Sequence, residues 1–592
     1  MRCQPRASKS KLTQLPAEIL AEIIELLSND KSSLASLALV NSDCRQLARC
    51  RQFAEVDFDY SLPAQNLVLH LAQEAVIPSQ QFNIASCIRL AAFASRPQHL
   101  AQHHQQLYES VQRGGEQLFT EEQRRKLSEE GDAHYRNFQT ACLGAISAMS
   151  NLESLIWRDR FSLDARFFEI LTRTSAQHVE LVGITLYEPW SLKPPLTPST
   201  WPIKSLNLDV ELHLEKYEEL SHSVNGTIHP MTTFFSTLFR LCSETLESLT
   251  WSYKDVTSSV SRIPVSIADT VVSFPRLRCL LLPYLKLDGI AVSSFLAAPL
   301  KSLHLSKEIL SDPEVLSCEP IRNLETFIVP ALPGKAQACQ SIGRFISQHK
   351  QIQKLYFREG SRAYGNAAHL DNCIIPALDS PDFGNLSSLS LAWGGGYLDQ
   401  PSDHGVEVPV TAMRVIGKIL SLQQLRLGAG MRRGWRHQWL VDHDELRRHF
   451  GQLKGLKRLA LTRDTYQINL SVMHPQRYYA LRWVGVEEET DANKRLHLDA
   501  NKEVRLGDMD ESEILFQMWE RAHRNRMLDQ AEKWATTLPN LQWMFCGQRP
   551  MGFIKIKGKM TEPPEAVTLT QERDECRTYL ESIFRGFDGG GQ

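Results

Sequence analysis

The residue types that chemistry needs are present in this chain, but they do not assemble into a catalytic signature. Gly394-Gly395-Gly396 follows a run that reads as a β-strand. A glycine-rich turn after a strand is how a phosphate loop begins, but that loop also needs a Lys followed by Ser or Thr, and neither is here. The triplet reads as a loop between repeats. His437, His443 and His449 stand six residues apart. On a helix that spacing spreads the rings over different faces, which is unfavourable for a zinc site. His103-His104 lies in a glutamine-rich stretch and reads as a solvated polar pair. Arg432, Arg433, Arg436, Arg447 and Arg448 interleave with Trp435 and Trp439. Cations among aromatics suit nucleic acid, but Asp442, Asp444 and Glu445 dilute the charge. A solvated face or a protein-binding patch fits the run better, because Trp and Arg anchor protein interfaces. No Rossmann fingerprint, nucleophile elbow or H-E-x-x-H occurs. The expectation is a protein that is not an enzyme and takes no cofactor or metal.

Those residues must be carried by a large scaffold. The chain has 592 residues, more than one hydrophobic core accommodates, so several domains or a repeat array are expected. Apolar residues make up 42% and charged residues 23%, which argues against wholesale disorder. A net charge of −2 supplies no global field toward nucleic acid or an anionic membrane, so neither partner is expected. The 12 cysteines are dispersed, with no C-x-x-C pair, and read as free thiols of a reducing compartment. No apolar run reaches membrane-spanning length, and the start does not read as a signal peptide. A cytoplasmic or nuclear protein is expected, in which Asn225-Gly226-Thr227 would not act as a glycosylation sequon.

The N-terminal segment LTQLPAEILAEIIELLSNDKSSLASLALVNSDCRQLARC carries apolar residues at helical spacing, at Leu15, Ile19, Ile23, Leu26 and Leu27. Pro16 suits a helix start. Asn29-Asp30 and Ser32-Ser33 form a break, and a second stripe follows at Leu34, Leu37, Ala38, Val40 and Leu47. Two or three short helices of this size bury little of their own surface, which points to a partner. Leu15-Pro16, Glu18-Ile19-Leu20, and then Leu34, Leu37 and Val40 resemble the F-box, and the continuation resembles fungal F-box proteins. One departure is Cys44, near the place where the family often has Trp. The resemblance implies docking on a Skp-type adaptor held by a cullin scaffold. The adaptor-binding residues it implies are Leu15, Pro16, Ile19, Leu20, Ile23, Leu27, Leu34, Leu37 and Val40.

Further on, Thr120 and Gln123 form a capping box opening a helix, with Gly131 as a candidate interruption. From residue 152 a repeat appears, apolar at i, i+3 and i+5 and followed by an amphipathic stretch. Strong copies start at Leu152, Ile203, Leu246, Leu277, Leu300, Leu324, Ile352, Leu386, Leu422 and Leu456. Weaker ones start at Ala176, Tyr478 and Leu541. One such unit cannot bury its apolar face alone, whereas stacked units can, so a solenoid with a parallel sheet follows. The pattern resembles leucine-rich repeats. It departs from them at i+8, where Asn or Cys is usual and Arg160, Glu211, Lys254 and others stand here. An irregular solenoid is therefore expected. Residues 511–537 read as a long helix.

The resulting organisation is α/β. Residues 1–11 form a disordered start, 12–58 an all-α F-box motif and 59–150 a linker and helical cap. Residues 151–560 form an irregular leucine-rich-repeat-like solenoid, and 561–592 a polar, partly disordered tail. Strand alternation turns i+2 and i+4 to the face opposite the leucines, the concave one in such solenoids. Lys354, Tyr356, Gln424, Arg426 and Arg458 would lie there, with Trp393 and Trp435 on the rim, as target-binding residues. The function expected is the substrate-recognition adaptor of a Skp–cullin–F-box ubiquitin ligase that captures a protein target. Two alternatives stay open: an interaction scaffold without ubiquitin transfer, and an enzyme on an unfamiliar α/β fold.

Overall fold

A computed structural model describes residues 15–27, 30–76, 83–94, 120–159, 163, 165–186, 200–212, 231–255, 264–268, 270–359, 368–380, 382–394, 407–429, 439, 441–462, 511–547, 549–554, 564–570 and 573–584. They form two compact units, Met1–Ala298 and Pro299–Gln592.

The first unit opens with three short helices, α1 (Ala17–Leu26), α2 (Lys31–Ala38) and α3 (Ser42–Gln52). The break before α2 is a cap. Asp30 accepts the amides of Ser32 and Ser33 and the Ser33 hydroxyl, which holds its carboxyl down at about 2. Asn41 caps α3 in the same way, through the Cys44 amide. Seven parallel strands follow in chain order among the described residues: β1 (Glu55–Phe58), β2 (Leu90–Phe93), β3 (Ser154–Trp157), β4 (His178–Leu186), β5 (Ser205–Leu212), β6 (Ser248–Asp255) and β7 (Cys279–Leu282). Between β1 and β2 lies helix α4 (Leu62–Val76). The register aligns Phe58, Phe93, Trp157, Leu181, Leu208 and Trp251 in one interior column. Its aromatic end is a stack, with ring centroids 4.6 Å apart for Phe58–Phe93 and 5.0 Å for Phe93–Trp157. Residues 59–150, expected as linker and cap, thus contribute β2. Its copy of the template, Ile88, Ala91 and Phe93, has a small residue at i+3. The capping box is formed, and the helix Glu121–Ala148 runs through Gly131 unbroken.

The second unit continues the theme with β8 (Ser302–Leu305), β9 (Thr326–Val329), β10 (Lys354–Arg358), β11 (Ser388–Trp393), β12 (Gln424–Ala429), β13 (Arg458–Thr462) and β14 (Trp543–Cys546), all parallel. β15 (Arg549–Ile554) and β16 (Glu565–Thr568) then run antiparallel. The segment 561–592, expected as a polar tail, supplies β16 and a last helix, Arg573–Ile583. The expected helix 511–537 is present as Glu511–Thr537. In this unit Leu303, Phe327, Leu355, Leu389, Leu425, Leu459 and Met544 stand in register, each fully or almost fully buried. All ten strong copies of the template, and the weaker copies at Ala176 and Leu541, bury their three apolar positions. The copy at Tyr478 lies outside the described residues. Full burial of a Leu is worth roughly 1.5–3 kcal/mol, so these columns are a principal source of stability in each unit.

The absent Asn ladder has a partial substitute one residue before the repeat. Ser175, Thr245 and Ser421 each stand at i−1, and each hydroxyl donates to the carbonyl at position i of the preceding repeat: Leu152 at 2.9 Å, Ile203 at 2.8 Å and Leu386 at 2.8 Å. The backbone adds a ladder of its own. The Gln423 carbonyl accepts the amides of both Lys457 and Arg458, at 2.8 and 3.0 Å, and the Ser387 and Lys457 carbonyls do likewise for the next repeats.

Candidate protein-interaction surfaces

Two surfaces stand out, one in each unit. The first is the helical trio α1–α3. Its interior is made by Leu20 (4% exposed), Leu34 (0%), Cys44 (1%) and Ala48 (0%). Leu20 and Leu34, both expected to touch an adaptor, therefore belong to the interior of the trio. Ile23, Leu27 and Leu37 are half-buried, and Pro16 is exposed. Five large apolar side chains face outward: Leu15 (38% exposed), Ile19 (42%), Leu26 (86%), Leu39 (81%) and Val40 (67%). Ile19 and Leu26 are seven residues apart on α1, hence on one side of it. Leu39 and Val40 form the turn that closes α2. Exposed aliphatics this dense on about 35 residues are unusual for a surface facing only water.

The second surface is the sheet face opposite the leucines in β8–β14. Register places His304, Ile328, Tyr356, Ser390, Arg426, Ala460 and Phe545 side by side across it. The face is not open. Tyr356, Ser390 and Arg426 are buried, because the last helix lies across it. Leu580, Ile583 and Phe584 pack on Ile328, Tyr356, Ala392, Ala460, Trp543 and Phe545. The Arg426 guanidinium stands 5.9 Å from the Phe584 ring centroid, and the Tyr356 ring 6.2 Å from it. The Tyr356 hydroxyl and the Ser388 hydroxyl are hydrogen-bonded at 3.0 Å, and Ser388 donates onward to Gln424 at 3.2 Å. Burial pushes the Tyr356 phenol upward.

Of the residues expected to bind a target, Lys354 is exposed, and Gln424 and Arg458 are half-buried. Tyr356 and Arg426 are on the expected face but beneath the helix. Trp393 is not on a rim: it is 1% exposed, and its indole N–H donates to Asp371 at 2.9 Å. Trp435 lies outside the described residues. The helix 573–583 is not legible in the sequence, because its apolar stripe is short and a charged, glycine-ended segment surrounds it.

The groups that resembled chemistry are engaged in packing where the structure describes them. The Gly394 amide donates to the Glu359 carboxylate at 3.0 Å, and Gly394 has φ of 69°. That carboxylate occupies an amide that a phosphate loop would offer to an anion. His443 opens the helix His443–Phe450, and its Nδ1 accepts the Trp534 indole N–H at 3.1 Å. Arg447 pairs with Asp444, donates to Gln530 at 3.1 Å and lies 5.6 Å over the Trp534 ring. Trp439 is buried. His103, His104, Asn225, Gly395, Gly396, Arg432, Arg433, Arg436 and His437 lie outside the described residues. Among the described residues no group of three or more His, Cys, Asp or Glu is placed to hold a metal ion. No helix among them is long and apolar enough to cross a membrane.

No family model and no curated protein matches the chain. Among solved structures, one described as "Crystal structure of TLR13-ssRNA13 complex" matches over 56% of this chain and 62% of that chain, at 11% identity and a TM-score of 0.17. A score that low says nothing about the fold or ligand of this chain. The chain has a repeating, mostly parallel α/β architecture, preceded by a small helical trio that exposes several large apolar side chains.

Proposed function

We propose that this protein is a substrate-recognition adaptor of a Skp–cullin–F-box ubiquitin ligase. The helical trio docks on the Skp-type adaptor, and the repeat array captures the protein to be modified. The observation that carries the reading is the outward display of Leu15, Ile19, Leu26, Leu39 and Val40 on the segment that resembles an F-box. Covering those side chains removes several large apolar groups from water, and apolar burial is the main driving force of such docking. The chain itself does no bond chemistry in this role. It raises the effective concentration of a target beside the ubiquitin-charged enzyme. The acting compartment is the cytoplasm or nucleus, where the other ligase subunits reside.

The test is capture of a purified Skp-type adaptor by the full chain. Leu39→Asp with Val40→Asp places two charges on the exposed turn without touching the interior of the trio. The expected result is at least a hundredfold loss of adaptor affinity with an unchanged melting profile. Undiminished capture by the folded double variant overturns the docking reading. Adaptor capture without ubiquitin transfer to any bound protein favours a plain scaffold instead.

A further inference from the structure

We propose that Cys50 and Cys87 are a redox-sensitive pair: hydrogen peroxide joins them in a disulfide that clamps the helical trio to the first strands of the repeat array, and thiol reductants release it. The inference stands whether or not the trio docks on a Skp-type adaptor.

The two sulfurs are 3.9 Å apart, although 37 positions separate the residues in the chain. Cys50 lies in the last turn of α3, and Cys87 ends the single-turn helix Ala85–Cys87 that leads into β2. Bonded sulfurs are about 2 Å apart, so closure asks for an approach of about 2 Å. The platform under Cys87 is fixed. The Glu74 carboxylate of α4 accepts the amides of Ile84 and Ala85 at 3.1 and 3.0 Å, and Asn151, just before β3, donates to the Ser86 carbonyl at 2.7 Å. On the other side, α3 holds its two neighbours. Arg51 reaches Glu25 of α1 at 2.7 Å, and Arg45 donates to the Ala38 carbonyl at the end of α2 at 3.2 Å. A bond at Cys50 therefore restrains the whole trio against a turn that α4 and the approach to β3 already hold.

Both thiols are half-buried, which admits a molecule as small as peroxide. Cys44, Cys142, Cys242, Cys339 and Cys546 are buried instead, and burial pushes Cys242 and Cys339 up to about 12, so these two stay protonated. In the first step one sulfur of the pair, as thiolate, attacks peroxide. An S–O bond forms, the O–O bond breaks, and the departing hydroxide takes a proton to become water. The second sulfur then attacks the sulfenic acid. An S–S bond forms, the S–O bond breaks, and a second water leaves with the second thiol's proton. Each sulfur gives up one electron and peroxide takes both. In a reducing compartment such a bond is transient, which suits a sensor rather than a permanent brace.

The full chain is treated with hydrogen peroxide, quenched with catalase, alkylated under denaturing conditions and digested with trypsin without reductant. The expected product is Cys50-Arg51 joined to the peptide 52–89. It should form at least tenfold faster than any other disulfide and disappear on treatment with dithiothreitol. The oxidised chain should melt at a higher temperature than the reduced one, and the amides of residues 49–53 should exchange at least tenfold more slowly. Cys50→Ser and Cys87→Ser should each melt like the reduced wild type and lose both responses to peroxide. Thiols that stay open to alkylation, that go separately to sulfinic acid, or that join other cysteines overturn the proposal. A Cys50–Cys87 bond that leaves exchange in α3 unchanged overturns the clamp. Should a serine variant fail to fold, the peptide map and the exchange of the wild-type chain decide by themselves.

Discussion

Nε2 of His349 accepts the backbone amide of Ile321 at 2.8 Å, so this ring is held neutral in one tautomer. Its Nδ1 lies 2.6 Å from the Phe345 carbonyl and must be the donor there. The ring is buried and stacked on Phe345 at 4.0 Å. Burial lowers its pKa, opposed by the Phe345 carbonyl. Burial also holds His304 and His443 down at about 4 and lowers His523. All four lie in the second unit. Below the unfolded value of 6.5 the unfolded chain binds protons that the folded unit refuses. Stability is thus present above pH 6.5 and is lost as pH falls toward 4. A shift like that of His304 is worth up to ~3 kcal/mol. Urea midpoints for the second unit should fall steadily from pH 7 to pH 4.5; a flat profile contradicts the assignment.

Helices of neighbouring repeats approach closely at two glycines. A Cβ at Gly417 would stand 2.4 Å from the His449 carbonyl oxygen, and one at Gly343 would stand 2.5 Å from that of Cys373. Alanine favours helix by about 1 kcal/mol over glycine, but overpacking against backbone costs about 1–3 kcal/mol. Gly417→Ala should therefore lower the melting temperature. Gly289→Ala, at a helix start with nothing within 4 Å, should leave it equal or higher. Equal behaviour of the two variants would refute the close-approach argument.

The hydroxyls at i−1 are expected to carry measurable stability. Ser421 donates to both the Phe383 and Leu386 carbonyls, at 3.1 and 2.8 Å. Ser421→Ala removes both donations, while the Phe383 carbonyl keeps the Leu386 amide, and should cost about 1 kcal/mol. Ser236→Ala, whose hydroxyl bonds only within its own exposed helical turn, should cost less than about 0.5 kcal/mol. Chemical denaturation of both variants supplies the comparison.

Leu20 and Leu39 separate folding from docking in the helical trio. Leu20 is 4% exposed and Leu39 81%. Leu20→Asp buries a charge without a partner and should unfold α1, seen as lost helical signal and fast proteolysis near residue 20. Leu39→Asp should leave helix content unchanged and act on adaptor binding alone. Loss of helix in Leu39→Asp would show that the turn is structural.

The repeat array is legible in the sequence, because the i, i+3, i+5 apolar pattern is a local signature that each copy writes independently. Leu389, Leu425 and Leu459 announce a buried strand by their own spacing, and no neighbour is needed to read it. The same holds for the capping box at Thr120 and for the helix 511–537. Phe82 to Phe93 reads as either a strand or a helix, because Ala91 sits where the template wants a large residue, and only the pairing of Ala91 with Val56 and Leu155 decides for strand β2. The i−1 hydroxyls were visible as letters, yet their acceptors are residues of the preceding repeat, 23 to 42 positions away. The state of the second sheet face was decided by tertiary structure alone. Strand alternation correctly turned Tyr356 and Arg426 away from the leucines, but alternation assigns a face and cannot say what covers it. That depended on Leu580, Ile583 and Phe584, more than a hundred residues further along, whose stripe is too short to declare itself and acquires meaning only when the chain lays it across the strands.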